Sequence, residues 1–237
     1  MPVDSRQPAG MSSSSNALLA APGATTARSL WGVFTDPFMT SQRASGPVRI
    51  RPFQTNDIDP LFEAARESIA EVSRWLPWCH ATYSREEAVA WVTSRPEAWR
   101  KGIEYSFVIV DGSSGRFLGG CGLNHINLQH RFANLGYWVR SGAAGKGIAS
   151  AATLLVAQFG FEQVGLVRVE IVVDVDNTAS QRLAVKVKAS REGVARNRIV
   201  TGERISSAVM YSLVPEDFGL EPLPASRRPA VPGGAGI

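Results

Sequence analysis

The sequence predicts an α/β (α+β) fold, in which a mixed, mostly antiparallel sheet of about six or seven strands is flanked by about four helices. Two observations predict this class. Segments with alternating apolar residues occur in adjacent pairs joined by short turns, and segments with helical periodicity interrupt them. The resulting order is β-α-α-β-β-β-α-β-α-β-β. Helices placed among several hairpins favour a mixed sheet over a purely parallel one.

The first half of this pattern contains one strand, two helices and a hairpin. "VRIRPF" alternates apolar and charged residues, which is typical of a strand. "TNDIDPLFEAARESIAEVSRWL" predicts a helix capped by Thr55 or Asn56, with a break before Trp75. The next helix begins at Ser84, and Glu87 three residues later completes a capping box. The strands "YSFVIV" and "RFLGGCGL" follow, joined by the turn "DGSSG".

The second half begins with the strand "ANLGYWVR" and a helix from about Gly145. This helix has Ile148, Ala152, Leu155 and Phe159 on one face, the spacing of a buried stripe. The next strand, "LVRVEIVVDV", places alternate residues on one face: Val167, Val169, Ile171, Val173 and Val175. A short helix, "NTASQRLAVKVKA", precedes a closing hairpin of "EGVARNRIV" and "ISSAVMYSLV".

The patterned segments predict one domain over residues 47–218. Residues 1–46 are rich in Ser, Ala, Thr and Gly, and we expect a disordered N-terminal extension there. We also expect a disordered tail over 219–237, which is rich in Pro and Gly. The N-terminal residues lack the features of a secretory signal, and no run of about eighteen apolar residues predicts a membrane span. We therefore expect a cytoplasmic protein with no membrane partner.

Charge and cysteine content exclude some classes of function. Cys79 and Cys121 do not form a disulfide framework, and no Cys/His cluster indicates a metal, so none is expected. The formal net charge is +4 and the pI is about 9.4, without a block of like charges. Nucleic-acid binding is therefore a weak inference, and the positive bias suits a polyanionic small ligand equally well.

The segment "GYWVRSGAAGKGIASAATLLVAQFGF", from Gly136 to Phe161, has a loop of small residues between a strand and a helix. A helix start has unpaired N–H groups and a partial positive charge, and glycines let a bulky anion approach them. A turn whose small residues only permit close packing is the alternative. Lys146 either pairs with a phosphate or remains in solvent. The spacing of a P-loop and the Rossmann fingerprint are both absent.

Several segments together resemble the GNAT superfamily of acetyl-CoA-dependent N-acetyltransferases, and within it the ribosomal-protein N-terminal acetyltransferase (RimJ/RimL-like) branch. The resemblance covers Val48 to Phe218 and includes "RIRPF", "WLPW", "YSREEAVAWV", "GGCGL", "NLGYWV", "GKGIA", "VRVEIVVDVDNTAS" and "REGVARN". The pyrophosphate loop of the family, Gln/Arg-x-x-Gly-x-Gly/Ala, falls on six residues: Ala144, Gly145, Lys146, Gly147, Ile148 and Ala149. Ala144 departs from the pattern because it has no side chain to offer the phosphate.

The resemblance implies acetyl-CoA as co-substrate and a primary amine as acceptor. The acceptor is a protein or peptide N-terminus of the ribosomal-protein type or a small amine such as a polyamine or an aminoglycoside. By the same resemblance, a backbone N–H within Tyr137, Trp138 and Val139 binds the developing oxyanion. Asn177 contacts CoA, and Ser180 protonates the departing thiolate. Alternatively, these last two residues only cap the helix that begins there.

The base and a second acid are not evident from the sequence. His125 in "LNHIN" follows a strand, so it either reaches the acceptor amine or is a surface histidine. Glu104 and Glu170 are further carboxylates near predicted strands. Tyr211 on the last strand is either a second acid or a core aromatic.

Three aromatic side chains mark the predicted acceptor opening. Trp75 and Trp78 enclose a proline in "SRWLPWCH", and Tyr83 follows. The resemblance places this segment beside the acceptor, where these residues are expected to bind substrate. An aromatic cluster that only fixes the two helices together is the alternative.

Two other functions stay open. A non-catalytic GNAT-like sensor or scaffold that binds CoA or a peptide is motivated by departures from the family pattern. These are Ala144, Val187-Lys188-Ala189 in place of Leu-Gly-Phe, and the lack of an acid in "RNRIV". A nucleic-acid-binding module depends on the pI alone. A homodimer is also open.

Overall fold

The computed structural model describes residues 42–224, which contain eight β-strands and five α-helices. The predictions for residues 1–41 and 225–237 lie outside the described residues. The strands are β1 (Arg43–Ser45), β2 (Val48–Pro52), β3 (Tyr105–Asp111), β4 (Phe117–Asn127), β5 (Phe132–Val139), β6 (Arg168–Asp174), β7 (Ser190–Thr201) and β8 (Arg204–Leu213). The helices are α1 (Ile58–Glu67), α2 (Ile69–Val72), α3 (Arg85–Arg100), α4 (Ile148–Phe159) and α5 (Thr178–Lys186). Within residues 42–224, no helix is long and apolar enough to cross a membrane.

The strands form one mixed sheet in the order β1-β2-β3-β4-β5-β6-β8-β7. In the described sheet only β5 and β6 are parallel neighbours. The predicted fold class is confirmed, with one more strand than expected. That strand is β1, which pairs with β2 and begins four residues before the predicted domain start at 47. Three residues of Arg-Ala-Ser show no alternation, so the sequence pattern could not reveal this strand.

The parallel pair separates soon after it forms. Phe132 to Asn134 pair with Arg168 to Glu170, but β5 continues to Val139 and β6 to Asp174 without further pairing between them. Five residues of β5, about 16 Å of strand, therefore pair with β4 alone. This divergence opens a cleft at the carboxyl ends of the two strands. The segment leading to α4 leaves one side of the cleft, and the segment leading to α5 leaves the other.

Hydrophobic clusters cover both faces of the sheet. One contains Phe107, Ile109 and Leu123 with α4, and the other contains Val108 and Val110 with α1 to α3. The predicted stripe of α4 is confirmed because its Ala, Leu and Phe members are buried and its Ile is partly buried against the cluster. The predicted inward face of β6 is shorter than expected: it ends before Val175, which is 37% exposed.

The sequence predicted some helix and domain ends correctly and others incorrectly. The capping box is present, since Ser84 N–H donates to Glu87 Oε2 at 2.8 Å and Glu87 N–H to Ser84 Oγ at 3.3 Å. The first helix is interrupted at Ser68, earlier than the predicted break before Trp75. At the other end, Leu220 packs against the core, so packed structure extends beyond the predicted boundary at 219.

Candidate active site

The loop between β5 and α4 has the backbone geometry of an anion site. Gly145 and Gly147 have φ values of 76° and 77°, a left-handed conformation that glycine adopts without steric cost. The helix begins at Ile148, slightly later than predicted, with Gly147 as its N-cap. Among residues 42–224, the N–H groups of Gly145, Lys146 and Gly147 have no backbone acceptor. Together with the first N–H groups of α4, they are available to an anion.

Two lysines lie near this loop, with different orientations. Lys146 Nζ donates to the carbonyl oxygen of Gly142 at 3.2 Å, so its side chain folds back over its own loop. Lys186 Nζ, from the end of α5, lies 3.5 Å from the position that a Cβ would occupy at Gly147. Lys186 therefore brings to the loop a positive charge that Ala144 does not supply. It also lines a cleft of about 550 Å³ beside α5 together with Arg182.

A pair of hydroxyl groups joins β5 to α5, the helix that follows β6. The Tyr137 hydroxyl on β5 lies 2.7 Å from Ser180 Oγ on α5. Burial is the main cause that raises the pKa of Tyr137 to about 12. Asn177 Oδ1 accepts from the Ser180 N–H at 3.0 Å and so caps α5. The cap is therefore made by Asn177, and the Ser180 hydroxyl is directed across the cleft towards β5.

A large cavity lies on the α1–α3 side of β4 and β5. Its volume is about 1110 Å³. Aromatic residues form much of its wall: Phe53, Trp78, Tyr83, Trp91 and Trp138. Trp78 packs edge-on against Trp138 at 5.2 Å and against Tyr83 at 5.7 Å between ring centroids. Tyr137 also lines this cavity, while it packs against the cluster that contains α4 and its hydroxyl reaches Ser180 on α5.

The structure brings some predicted residues to this cavity and leaves others out. His125 lines it from an irregular part of β4, with a φ of 49°. Trp75 does not line it, and its ring stacks with the Arg74 guanidinium 4.7 Å from the centroid. Tyr211 is 2% exposed and lines the cleft beside α5 instead, as a member of the core cluster. Trp75 therefore lies outside the cavity wall and Tyr211 lies on the α5 side, and their predicted roles in acceptor binding and acid catalysis stay predictions.

The carboxylates considered as bases already have partners. Glu170 forms an ion pair with Arg168 at 3.0 Å. Glu104 lines the cavity but pairs with Arg95 at 2.9 Å and accepts from a neighbouring serine. Among the acidic, basic and histidine side chains that line the cavity in the described part of the chain, His125 alone has no hydrogen-bond or ion-pair partner.

Sequence reasoning missed several wall residues. Glu87 lines the cavity in addition to capping α3, and Trp91 lines it one helical turn later. Their spacing of four residues places both side chains on one face of α3, and this spacing could have predicted a shared wall position. No group of three or more potential metal ligands occurs within residues 42–224.

The separated strands, the small-residue loop and the separate large cavity define a class: a group-transfer enzyme that holds two substrates. Residues 48–190 match the family model described as "Acetyltransferase (GNAT) domain", which is more than half of the 237-residue chain. The chain belongs to the GNAT acetyltransferase family. It is an N-acetyltransferase that uses acetyl-CoA, and the resemblance found in the sequence is confirmed.

Several similar proteins and solved structures carry the names of ribosomal-protein acetyltransferases. The Bacillus subtilis protein named "Putative ribosomal N-acetyltransferase YdaF" is 28% identical over 176 residues, covering 72% of this chain and 93% of that protein. A structure titled as "a putative ribosomal-protein-serine acetyltransferase" from Vibrio cholerae is 26% identical with a TM-score of 0.64, covering 73% and 97% of the two chains. The RimL ribosomal L7/L12 alpha-N-protein acetyltransferase in complex with coenzyme A shares the fold at 21% identity, with a TM-score of 0.65 and coverage of 73% and 96%.

Proposed function

We propose that this acetyltransferase acts on the N-terminal amine of a protein or peptide. The observation that carries the proposal is the cavity of about 1110 Å³, which exceeds the roughly 300–1,000 Å³ of typical small-ligand sites. Apolar side chains at its rim are partly exposed: Trp78, Trp91, Ile103 and Leu128. Such a rim suits the side chains that follow an N-terminal amine in a peptide. The names of YdaF and the Vibrio cholerae structure support the same acceptor class.

Acetyl-CoA supplies a thioester that the acceptor amine attacks. In this site its pyrophosphate is assigned to the loop from Ala144 to Ala149, with Lys186 as a nearby cation. Its pantetheine arm is assigned to the cleft between β5 and β6, where Leu135 to Val139 have no strand partner on the β6 side. Backbone N–H groups on that edge are the donors for the carbonyl oxygen as it becomes negatively charged.

The transfer forms a C–N bond, breaks a C–S bond and moves two protons. The amine loses a proton, for which His125 is the candidate acceptor because, among the acidic, basic and histidine side chains of the described cavity wall, it alone has no hydrogen-bond or ion-pair partner. The departing sulfur gains a proton, for which Ser180 is the candidate donor, with Tyr137 hydrogen-bonded behind it at 2.7 Å. A hydroxyl pair of this kind can relay a proton while its members keep their positions.

The test is an acceptor screen with the purified full chain and acetyl-CoA, followed by release of free thiol. The probes are a serine-initiated peptide, the same peptide with a formylated N-terminus and one internal lysine, and spermidine. Turnover with the first peptide alone is expected. Turnover with spermidine alone would replace the proposal by a small-amine acceptor. CoA binding without turnover on any probe would favour a sensor or scaffold.

A further inference from the structure

The segment between β5 and α4 is tied to the acceptor-side helices by a carboxylate. Glu67, the last residue of α1, accepts from the Gly142 N–H through Oε1 at 2.8 Å. Its Oε2 accepts from Arg140 Nε at 3.0 Å and also from Arg140 Nη2. Arg140 in turn donates to the carbonyl oxygen of Phe117 at the start of β4. One side chain thus joins the helix end, the strand and the loop.

Two further residues of the same helical segment hold the loop. Ser68 is fully buried, and its hydroxyl donates to the Ala64 carbonyl at 2.7 Å and accepts from the Ser141 N–H at 3.0 Å. Glu71 Oε2 accepts from Ser141 Oγ at 2.6 Å. We call Glu67, Ser68 and Glu71 the loop clamp.

The clamp determines which backbone groups remain available to a ligand. The N–H groups of Ser141 and Gly142 donate to the clamp, and those of Ala143 and Ala144 donate within the turn. The free N–H groups begin only after these four. A side chain at Gly142 would displace the Glu67 carboxylate, since a Cβ there would lie 2.9 Å from Glu67 Oε1.

The surroundings of Glu67 favour the ionised form of its carboxyl group. Its hydrogen bond with the Arg140 guanidinium is the largest cause that holds the pKa of Glu67 below its usual range, and the Gly142 N–H adds to the effect. A charge-assisted pair of this kind is stronger than a neutral hydrogen bond, and its two-pronged geometry fixes orientation.

The helix that carries the clamp also reaches the acceptor cavity. Leu61 of α1 lines the cavity, six residues before Glu67 and so about 9 Å along the helix axis. Ala64 and Ala65 of α1 are fully buried. Because this packing holds the helix along its length, α1 is expected to move as one rigid unit. A displacement of the loop is therefore transmitted to the cavity wall.

We propose that Glu67 is a positioning residue that couples the acetyl-CoA loop to the acceptor cavity. This inference rests on the assignment of the loop from Ala144 to Ala149 to the CoA pyrophosphate. Anchoring by the clamp places the free N–H groups before the ligand arrives, and a ligand held by those groups further stabilises α1 through the clamp. A stabilised α1 favours the cavity wall that includes Leu61, and because coupling between two sites is reciprocal, acetyl-CoA and the acceptor should raise each other's affinity by the same factor.

The first measurement is calorimetric titration of CoA into the full chain carrying Glu67→Gln. Glu63→Gln is the matched control, because Glu63 is exposed, lies one turn earlier on α1 and has no partner among residues 42–224. It removes the same negative charge near the phosphates, so it reports the electrostatic effect alone. We expect Glu67→Gln to weaken CoA binding about tenfold relative to Glu63→Gln. Equal affinities would overturn the proposal.

The second measurement is amide hydrogen exchange with and without CoA, which requires no known acceptor. In the wild-type chain CoA should slow exchange in both the loop and residues 58–72. In Glu67→Gln, at saturating CoA, protection should remain in the loop and be lost from 58–72. Protection of 58–72 that persists in the variant would contradict the coupling. If Gly147→Glu weakens CoA binding at least about tenfold more than Gly147→Gln while both clamp results fail, the loop assignment stands and only the clamp is wrong.

Discussion

Ser180 is a residue whose structural and catalytic roles can be separated experimentally. Its hydroxyl bonds to Tyr137, while the helix cap is made by Asn177. Ser180→Ala should therefore lower kcat by about ten- to a hundredfold, because the departing thiolate loses its proton donor and water replaces it only in part. Acetyl-CoA affinity and the melting temperature should change little. Steady-state kinetics and thermal unfolding on the same preparation measure these quantities.

Two variants test this assignment from opposite directions. Tyr137→Phe keeps the Ser180 hydroxyl but removes its partner, so a smaller decrease in kcat is expected. Asn177→Ala removes the cap and should lower the free energy of unfolding by about 1 kcal/mol. An unchanged kcat with a lower melting temperature in Ser180→Ala would show that the hydroxyl is structural.

Gly147 tests the pyrophosphate assignment. Any larger residue is strained there because φ is 77°, so a single substitution does not isolate the effect of charge. Gly147→Glu and Gly147→Gln have nearly the same shape and the same strain. We expect the glutamate to weaken acetyl-CoA binding by at least about tenfold more than the glutamine, since it places a negative charge among N–H groups that bind phosphate. Equal affinities in calorimetry would show that the phosphates bind elsewhere.

At the scale of elements, the sequence pattern predicted those helices and strands whose formation depends on neighbouring residues in the chain. The capping box at Ser84, the stripe of α4 and the closing hairpin were all readable, because each depends on residues within a few positions of one another. The short strand β1 was not readable, since its strand character comes from pairing with β2. The bonds from Glu67 to Arg140 and Gly142 span more than seventy residues, and no local pattern records such a contact.

In the candidate site, too, the features set by local sequence could be predicted, and those set by three-dimensional neighbours could not. The small-residue loop and the Asn-x-x-Ser spacing were visible in the sequence because backbone geometry and a helix cap demand particular residues locally. Trp75 and Trp78 look equivalent in the sequence, yet only Trp78 lines the cavity. The direction of a side chain in an irregular segment is set by its three-dimensional neighbours, here Trp138 and Tyr83.

The packing of β4 against β5 makes a prediction for the acceptor cavity. A Cβ at Gly120 would lie 2.8 Å from Trp138 Nε1, so Gly120→Ala should displace that ring from Trp78. Gly136→Ala on the paired strand is the size-matched comparison, because Gly136 also lines the cavity but its Cβ would meet only Asn124 Nδ2 at 3.7 Å and would displace no ring. We expect Gly120→Ala to raise KM for the acceptor severalfold and to cost about 1–3 kcal/mol of stability through overpacking. A KM equal to that of Gly136→Ala would show that the position of the Trp138 ring does not affect acceptor binding.

For the whole molecule, β1 is the first strand of the described residues, and we expect it to contribute to the stability of the domain. Arg43 pairs with Ile50 in the sheet and forms an ion pair with Glu162 at 2.9 Å. We propose that a chain shortened to begin at Met39 keeps its melting temperature and its CoA affinity. A chain that begins at Pro47 loses β1 and should melt several degrees lower. Equal melting temperatures for the two shortened chains would show that β1 contributes no stability. A large loss on starting at Met39 would show that earlier residues are needed.

The second half of the sheet contains an ion pair that makes stability depend on acidity. Glu192 on β7 accepts from Arg168 on β6 and, through Oε1, from Ser212 Oγ on β8 at 2.7 Å. The hydrogen bond from Arg168 is the main cause that lowers the pKa of Glu192 from 4.5 to about 2. Because the pKa is lower in the folded state, the ionised carboxylate stabilises the fold above about pH 4.5. That contribution is lost as the pH falls from there towards 2.

Glu192→Gln removes this pH-dependent contribution. Urea unfolding of the wild-type chain and the variant at pH 7, 4 and 2.5 should therefore show a constant difference near neutrality that shrinks on acidification, because a protonated Glu192 resembles glutamine. Glu203→Gln is the control: Glu203 is exposed beside the β7–β8 turn and has no ion-pair partner among residues 42–224. Its difference from the wild-type chain should be small at every pH. A Glu192→Gln difference as large at pH 2.5 as at pH 7 would mean that Glu192 acts through packing across the three strands, independently of its charge.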